Sequence, residues 1–207
     1  MTKRILPLAS LVVALSGCLP SSEVIPVKFY SLAPTAVPQP PAPSNPAIPG
    51  TRIGIAPFES VERIGSSLMV RLPAFQVAHL EFDRWADTPA NTLTQRLAME
   101  LQQSGRFEEV TDAKNVSLPG YYLSGKLLAF EGVQSDDSGI ALCRFNLELR
   151  GTKDRSLVWS QMFESTADWD PAGAAKTLVP ALDQATQQAV TQAVESLAEA
   201  LATRAEQ

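Results

Sequence analysis

TPANTLTQRLAMELQQSGRF, residues 88–107, encodes a helix with both of its ends marked. Thr88 offers a capping hydroxyl and Pro89 takes the first helical position, where a missing N–H costs nothing, while Leu93, Leu97 and Leu101 recur at four-residue spacing. Ser104-Gly105 closes the helix. Three leucines on one stripe require something apolar beneath them. The sequence on either side supplies it, because the period there changes from that of a helix to that of a strand.

Upstream, Arg52 to Phe58 alternates Ile53, Ile55 and Pro57 against smaller or polar neighbours. Ser67 to Leu72 and Phe75 to Leu80 flank Pro73 as a β-hairpin, and Val27 to Leu32 predicts a short first strand. Downstream, strand-like runs cover Phe107 to Thr111, Tyr121 to Val133, Ile140 to Arg150 and Leu157 to Ser165. Their links, Ser135-Asp136-Asp137-Ser138-Gly139 and Gly151-Thr152-Lys153-Asp154, are rich in turn formers, so those strands should be antiparallel neighbours. Asp170-Pro171 opens a last helix with the stripe Leu182, Ala185, Ala189, Ala193, Leu197 and Leu201, kinked or split near Pro180. The expected fold is α+β, a mostly antiparallel sheet with two main helices packed on one face.

The N-terminus carries a different kind of signal. Lys3 and Arg4 precede an apolar run from Ile5 to Leu15 that suits a secretory leader and is too short to span a membrane. Leu15-Ser16-Gly17-Cys18 follows and resembles a bacterial lipobox, in which the cysteine sulfur is diacylated before cleavage. Cys18 would then be the mature N-terminus, carrying covalent diacylglycerol and an N-acyl chain and requiring no other cofactor. Leu19 and Pro20 follow it with no aspartate at the usual inner-membrane retention position, so the likeness to lipoprotein sorting signals implies the periplasmic face of the outer membrane.

The organisation that follows is residues 1–17 as signal peptide, 18–50 as lipidated N-terminus with a short strand and a spacer, and 51–207 as one α+β domain. Seven of the 18 residues from Ala33 to Gly50 are proline, which excludes a helix or central strand; in polyproline geometry, at ~3.1 Å per residue, the stretch spans about 55 Å as a semi-rigid spacer or a surface loop. The 17 basic and 22 acidic side chains give a formal net charge of −5, which cleavage makes more negative by removing Lys3 and Arg4. That balance argues against nucleic acid and against electrostatic attachment to anionic lipid. With Cys18 acylated, Cys143 has no partner for a disulfide.

Chemistry-bearing clusters are sparse. His79 is the sole histidine, which excludes multi-histidine metal sites, and no Gly-x-Ser-x-Gly elbow is present. Asp168 and Asp170 fall short of the ~6–8 oxygens that calcium takes. Neither a catalytic nor a metal site is expected. Trp85 with Asp87 reads either as a partner-docking corner or as an indole packed over the helix entry beside a capping carboxylate. Trp169, between two aspartates in a turn, reads as an exposed partner contact, and Trp159 as core.

From Glu81 to Val110 the chain resembles the ABC-type transport auxiliary lipoproteins, with the Pqi-type lipoproteins as the nearest group. The likeness rests on Phe82, Trp85-Ala86-Asp87, the leucine-spaced helix and Ser104-Gly105-Arg106-Phe107 with Val110. Phe29-Tyr30-Ser31-Leu32, Ile53 to Pro57, Leu68-Met69-Val70-Arg71, Leu123-Ser124-Gly125-Lys126-Leu127 and Phe130-Glu131 extend it over nearly the whole mature chain. The resemblance implies a non-enzymatic, outer-membrane-anchored partner of an ABC transporter and its Mce-type substrate-binding protein, moving lipids or other apolar compounds across the envelope. It also implies homo-oligomerisation. The competing reading is a structural lipoprotein that assembles or activates another envelope machine, such as a peptidoglycan synthase or a lipopolysaccharide exporter.

Overall fold

The computed structural model describes residues 25–33, 47–114 and 120–206. In chain order its elements are β1 (Lys28–Tyr30), β2 (Ile48–Ile55), β3 (Glu59–Ser60), β4 (Ser67–Arg71), β5 (Val77–Trp85), α1 (Pro89–Gln103), β6 (Phe107–Asp112), β7 (Tyr121–Ser135), β8 (Ser138–Gly151), β9 (Leu157–Trp169) and α2 (Ala175–Ala205). Single 3-10 turns occupy Pro73–Phe75 and Pro171–Gly173. Helix α1 begins and ends where its sequence marks it. The Thr88 hydroxyl accepts the Asn91 N–H at 3.3 Å, and Gly105 takes the left-handed exit with φ +62°. Leu93, Leu97 and Leu101 are fully buried, each contributing ~1.5–3 kcal/mol of transfer free energy.

Strand β7 is the axis of the sheet. On one side β8 runs antiparallel along its whole length and β9 antiparallel along β8, as their short links demand. The other side of β7 is shared in succession by β2 at Tyr121–Leu123, β3 at Lys126–Leu127 and β4 at Gly132–Val133, all parallel to it. Beyond these, β6 is parallel to β2, β5 antiparallel to β4, and β1 parallel to β5. The sheet is therefore mixed, which corrects the expectation of a mostly antiparallel one: of the eight strand pairings among the described residues, five are parallel. Hairpin links are visible as local turn chemistry. Parallel pairs join segments separated by α1 or by other strands and leave no such local trace.

Both helices lie on one face, α2 across β9, β8, β2 and β7, and α1 against β6, β7 and α2. The alternation along β8 separates the two faces. Ala141, Cys143, Phe145, Leu147 and Leu149 are buried under the helices, whereas Arg144, Asn146, Glu148 and Arg150 stand on the opposite, helix-free face. The alanines of the α2 stripe let the helix lie close to the sheet, and all six stripe residues are buried. Helix α2 is not split at Pro180. That residue is exposed in the second turn, so the one backbone donor it lacks leaves the Lys176 carbonyl open to water.

Strand β1 changes the meaning of the proline-rich stretch. Because β1 already belongs to the sheet and β2 begins at Ile48, the prolines connect two strands of the same sheet, and only the residues before Ile25 separate Cys18 from the folded chain. The polyproline geometry expected for that stretch falls mostly on residues 34–46, outside the described residues.

Candidate functional site

The corner where β5 enters α1 brings several landmark residues together. Trp85 ends β5, donates its backbone N–H to the Ser66 carbonyl at 2.6 Å and sets its ring 5.3 Å from that of Phe130 at 58°. It is 6% exposed, so its indole belongs to the core. Asp87 is exposed and accepts from the Thr88 N–H at 2.7 Å and the Asn91 amide at 3.1 Å. The structure thus gives Trp85 the packing role and Asp87 a position just ahead of the cap. Thr88 is the cap itself.

Beside Asp87 opens a cleft of about 360 Å³ lined by Ser31, Leu32, Ala33, Thr92, Arg96 and Met99, among others. Arg96 is only 5% exposed. Its guanidinium donates to Asp183 Oδ1 at 2.7 Å, to the Ala33 carbonyl at 2.7 Å and to the Asp183 carbonyl at 3.3 Å, while the Ala33 N–H returns to Asp183 Oδ1 at 3.2 Å. The cluster ties α1, α2 and the chain just after β1 into one unit. Sequence reading missed it, although Arg96 lies three residues after Leu93, on the buried side of α1, where a cation needs a buried partner.

A second ion pair sits on the helix-free face. Arg71 Nη2 reaches both carboxylate oxygens of Glu131, at 2.9 and 3.0 Å, and Glu131 is 2% exposed. These residues end two of the segments that carry the family likeness, Leu68 to Arg71 and Phe130-Glu131. They are neighbours across β4 and β7.

Trp169 does not occupy an exposed turn. It is the last residue of β9, 7% exposed, and its ring lies so close over Gly139 and Gly132 that a Cβ on either would meet it at 2.4 or 2.9 Å. Its expected exposure is corrected by this packing. The Asp168-Trp169-Asp170 sequence resembles a loop only because the two polar residues alternate around a buried ring at the end of a strand. Trp159 is partly buried, 5.9 Å from Phe163.

The titratable groups point to structure. Cys143 is wholly buried beside Thr186, and burial pushes its thiol up to about 12, far from the thiolate a nucleophile needs. His79 stands exposed on β5, away from it. Hydrogen bonding from Arg52, and then from the Gly50 N–H, holds the exposed Glu108 below the usual carboxylate range. Burial, then Asp83, raises Tyr30. Among the described residues no group of three His, Cys, Asp or Glu side chains converges as metal ligands would, and no helix is long and apolar enough to cross a membrane. Leu15, Ser16, Gly17 and Cys18, expected as a lipobox and its attachment residue, lie outside the described residues.

The model of the ABC-type transport auxiliary lipoprotein component family matches residues 30–194, about four fifths of the chain. Among solved structures, protein XCC0632 from Xanthomonas campestris, of family DUF330, superposes with a TM-score of 0.73 at 18% identity, covering 87% of this chain and 100% of that one. An uncharacterized protein superposes with a TM-score of 0.61 at 14% identity, covering 84% and 99%. At those identities the likeness concerns the fold. Among curated proteins none matches this chain.

Proposed function

We propose that this chain, which belongs to the family of ABC-type transport auxiliary lipoprotein components, is held by acyl chains on Cys18 at the periplasmic face of the outer membrane, where its α+β domain docks a transporter's Mce-type substrate-binding protein and so helps pass lipids or other apolar compounds across the envelope. The observation that carries this reading is the family match from β1 to the middle of α2. The position of the leader and lipobox immediately before β1 supports the anchor. The interior supports a docking role, since the space between sheet and helices is filled by Leu93, Leu97, Phe145, Leu178 and their neighbours. Cargo would travel through the partners. This chain would hold them in place.

Membrane fractionation of wild type and Cys18→Ser, followed by affinity purification of each, tests the reading. Wild type is expected in the outer-membrane fraction together with the ATPase, permease and Mce-type subunits, and the variant in the soluble periplasm with those subunits depleted. Purification with a peptidoglycan synthase or a lipopolysaccharide exporter in their place would favour the competing assembly role.

A further inference from the structure

One end of the sheet exposes apolar side chains that the fold does not use. The β4–β5 link and the β7–β8 turn lie together there, because Arg71 is level with Val77 on one side and with Val133 on the other, and Val133 is level with Ile140. Phe75, in that link, is 94% exposed, with Val77 at 44% and Ile140 at 40% on the helix-free face behind it. The link is also strained: Ala74 and Phe75 have φ of +60° and +65°, at ~1–2 kcal/mol per residue without glycine. No core contact of Phe75 offsets that strain. It turns the ring outward into solvent.

Chain direction says what meets it. Strand β1 runs parallel to β5 with Lys28 level with Asp83, so the polypeptide preceding β1 approaches from the Phe75 end. Phe75 is eight residues before Asp83, at most ~26 Å along β5 at ~3.3 Å per residue. Cys18 is ten residues before Lys28 and reaches up to about 33–36 Å when extended. The acyl chains and the Phe75 tip can therefore arrive at the same plane. Ile25 and Val27, on the approach, are themselves exposed. Asp136, Asp137, Asp168 and Asp170 surround the same end, which opposes approach to an anionic surface and leaves a neutral one.

We propose that the tip formed by Phe75, with Val77 and Ile140 behind it, rests in the zwitterionic lipid leaflet that receives the acyl chains of Cys18, fixing the domain upright on its membrane; this orientation rests on the anchoring proposed above. An inserted ring adds apolar burial to that of the acyl chains and restricts the tilt that a lipidated tether alone permits.

The test uses the lipidated protein purified from cells and labelled with the fluorophore NBD at Phe75→Cys or, as control, at Asp154→Cys in the β8–β9 turn at the opposite end. Reconstituted in phosphatidylcholine vesicles containing nitroxide-labelled lipid, the probe at position 75 is expected to shift to the blue and be quenched at least threefold more than the probe at 154. Equal quenching at the two positions would overturn the proposal. Replacing a third of the lipid by phosphatidylglycerol is expected to weaken quenching at 75, and stronger quenching would overturn the assignment to neutral lipid. Mass measurement of the N-terminal peptide tests acylation separately. The same mature chain tethered by a hexahistidine tag in place of Cys18 to nickel-chelating lipid tests the tip whether or not the natural chain is acylated. If position 75 is shielded in cells but stays unquenched in both vesicle systems, a protein partner covers it and the lipid proposal fails.

Discussion

The two faces of the sheet are built from the same strands and obey different rules. Under the helices, β8 presents Ala141, Cys143, Phe145, Leu147 and Leu149 to α2. On the other side the same strand presents Arg144, which pairs with Glu164, and Arg150, which pairs with Glu148. One face is filled and dry. The other carries exposed ion pairs, the buried carboxylate of Glu131 held by Arg71, and separate apolar residues such as Tyr122 and Met162. The difference teaches where stability and availability reside: the helix side holds the fold together, and the helix-free side and its Phe75 end are what the domain can offer to a membrane or a protein.

The largest way to break this contrast is to cut into the filled face. Phe145→Ala removes a fully buried ring that touches Phe58 and Phe163 and should cost ~3–5 kcal/mol in urea unfolding; Met162→Ala on the same sheet should change stability by less than about 0.5 kcal/mol. Equal losses would remove the distinction. Next in size are the two buried ion pairs. Arg96→Ala leaves Asp183 without its partner between the helices, and Arg71→Ala does the same to Glu131 on the opposite face, each at about 3 kcal/mol. The double replacement Arg96→Met with Asp183→Leu should recover only part of that loss, because it removes the stranded charge but leaves the Ala33 N–H and carbonyl without their partners. By contrast, separating the exposed Arg144–Glu164 pair should cost under about 1 kcal/mol and less still in high salt.

Much of this contrast can be read in the sequence, for reasons that particular residues make plain. Leu93, Leu97 and Leu101, the turn chemistry of 135–139 and the Thr88-Pro89 cap are local signals, and each appears in the structure where it was expected. The parallel pairing of β2, β3 and β4 with β7 depends on residues far apart in the chain, and no local pattern encodes it. Trp169 is buried although its flanking aspartates suggest a loop, because the glycines that make room for its ring, Gly132 and Gly139, come from another part of the chain. At the corner of Trp85 and Asp87 the sequence leaves two readings, and the 6% exposure of Trp85 supports the packed one. Arg96 shows in the sequence only as a cation beside an apolar stripe, and Phe75, expected at the start of a strand, lies instead in the turn that Pro73 opens, with the strand beginning at Val77.

Two further effects appear only when the pH is moved away from neutrality. The thiol of Cys143 ionises near 9 in an unfolded chain and is pushed up to about 12 when folded, so the stability it contributes is complete below pH 9 and is lost between pH 9 and 12. Cys143→Ala should flatten that alkaline slope, and an unchanged slope would mean that the site opens to water. Glu108, held low by Arg52, has the opposite sign: its contribution is present above the ordinary carboxylate value and is lost as pH falls through its lowered one. Glu108→Gln should therefore make acid unfolding slightly less steep, with a difference visible only in low salt.

The most direct test of the proposed role is site-specific photo-crosslinking in intact cells from Met162 on the helix-free face and from Gln192 on the outer side of α2. The account predicts that at least one position forms an adduct with an Mce-type protein or an ABC transporter subunit, and that Cys18→Ser abolishes it. Adducts at both positions formed only with a peptidoglycan synthase or a lipopolysaccharide exporter would contradict it.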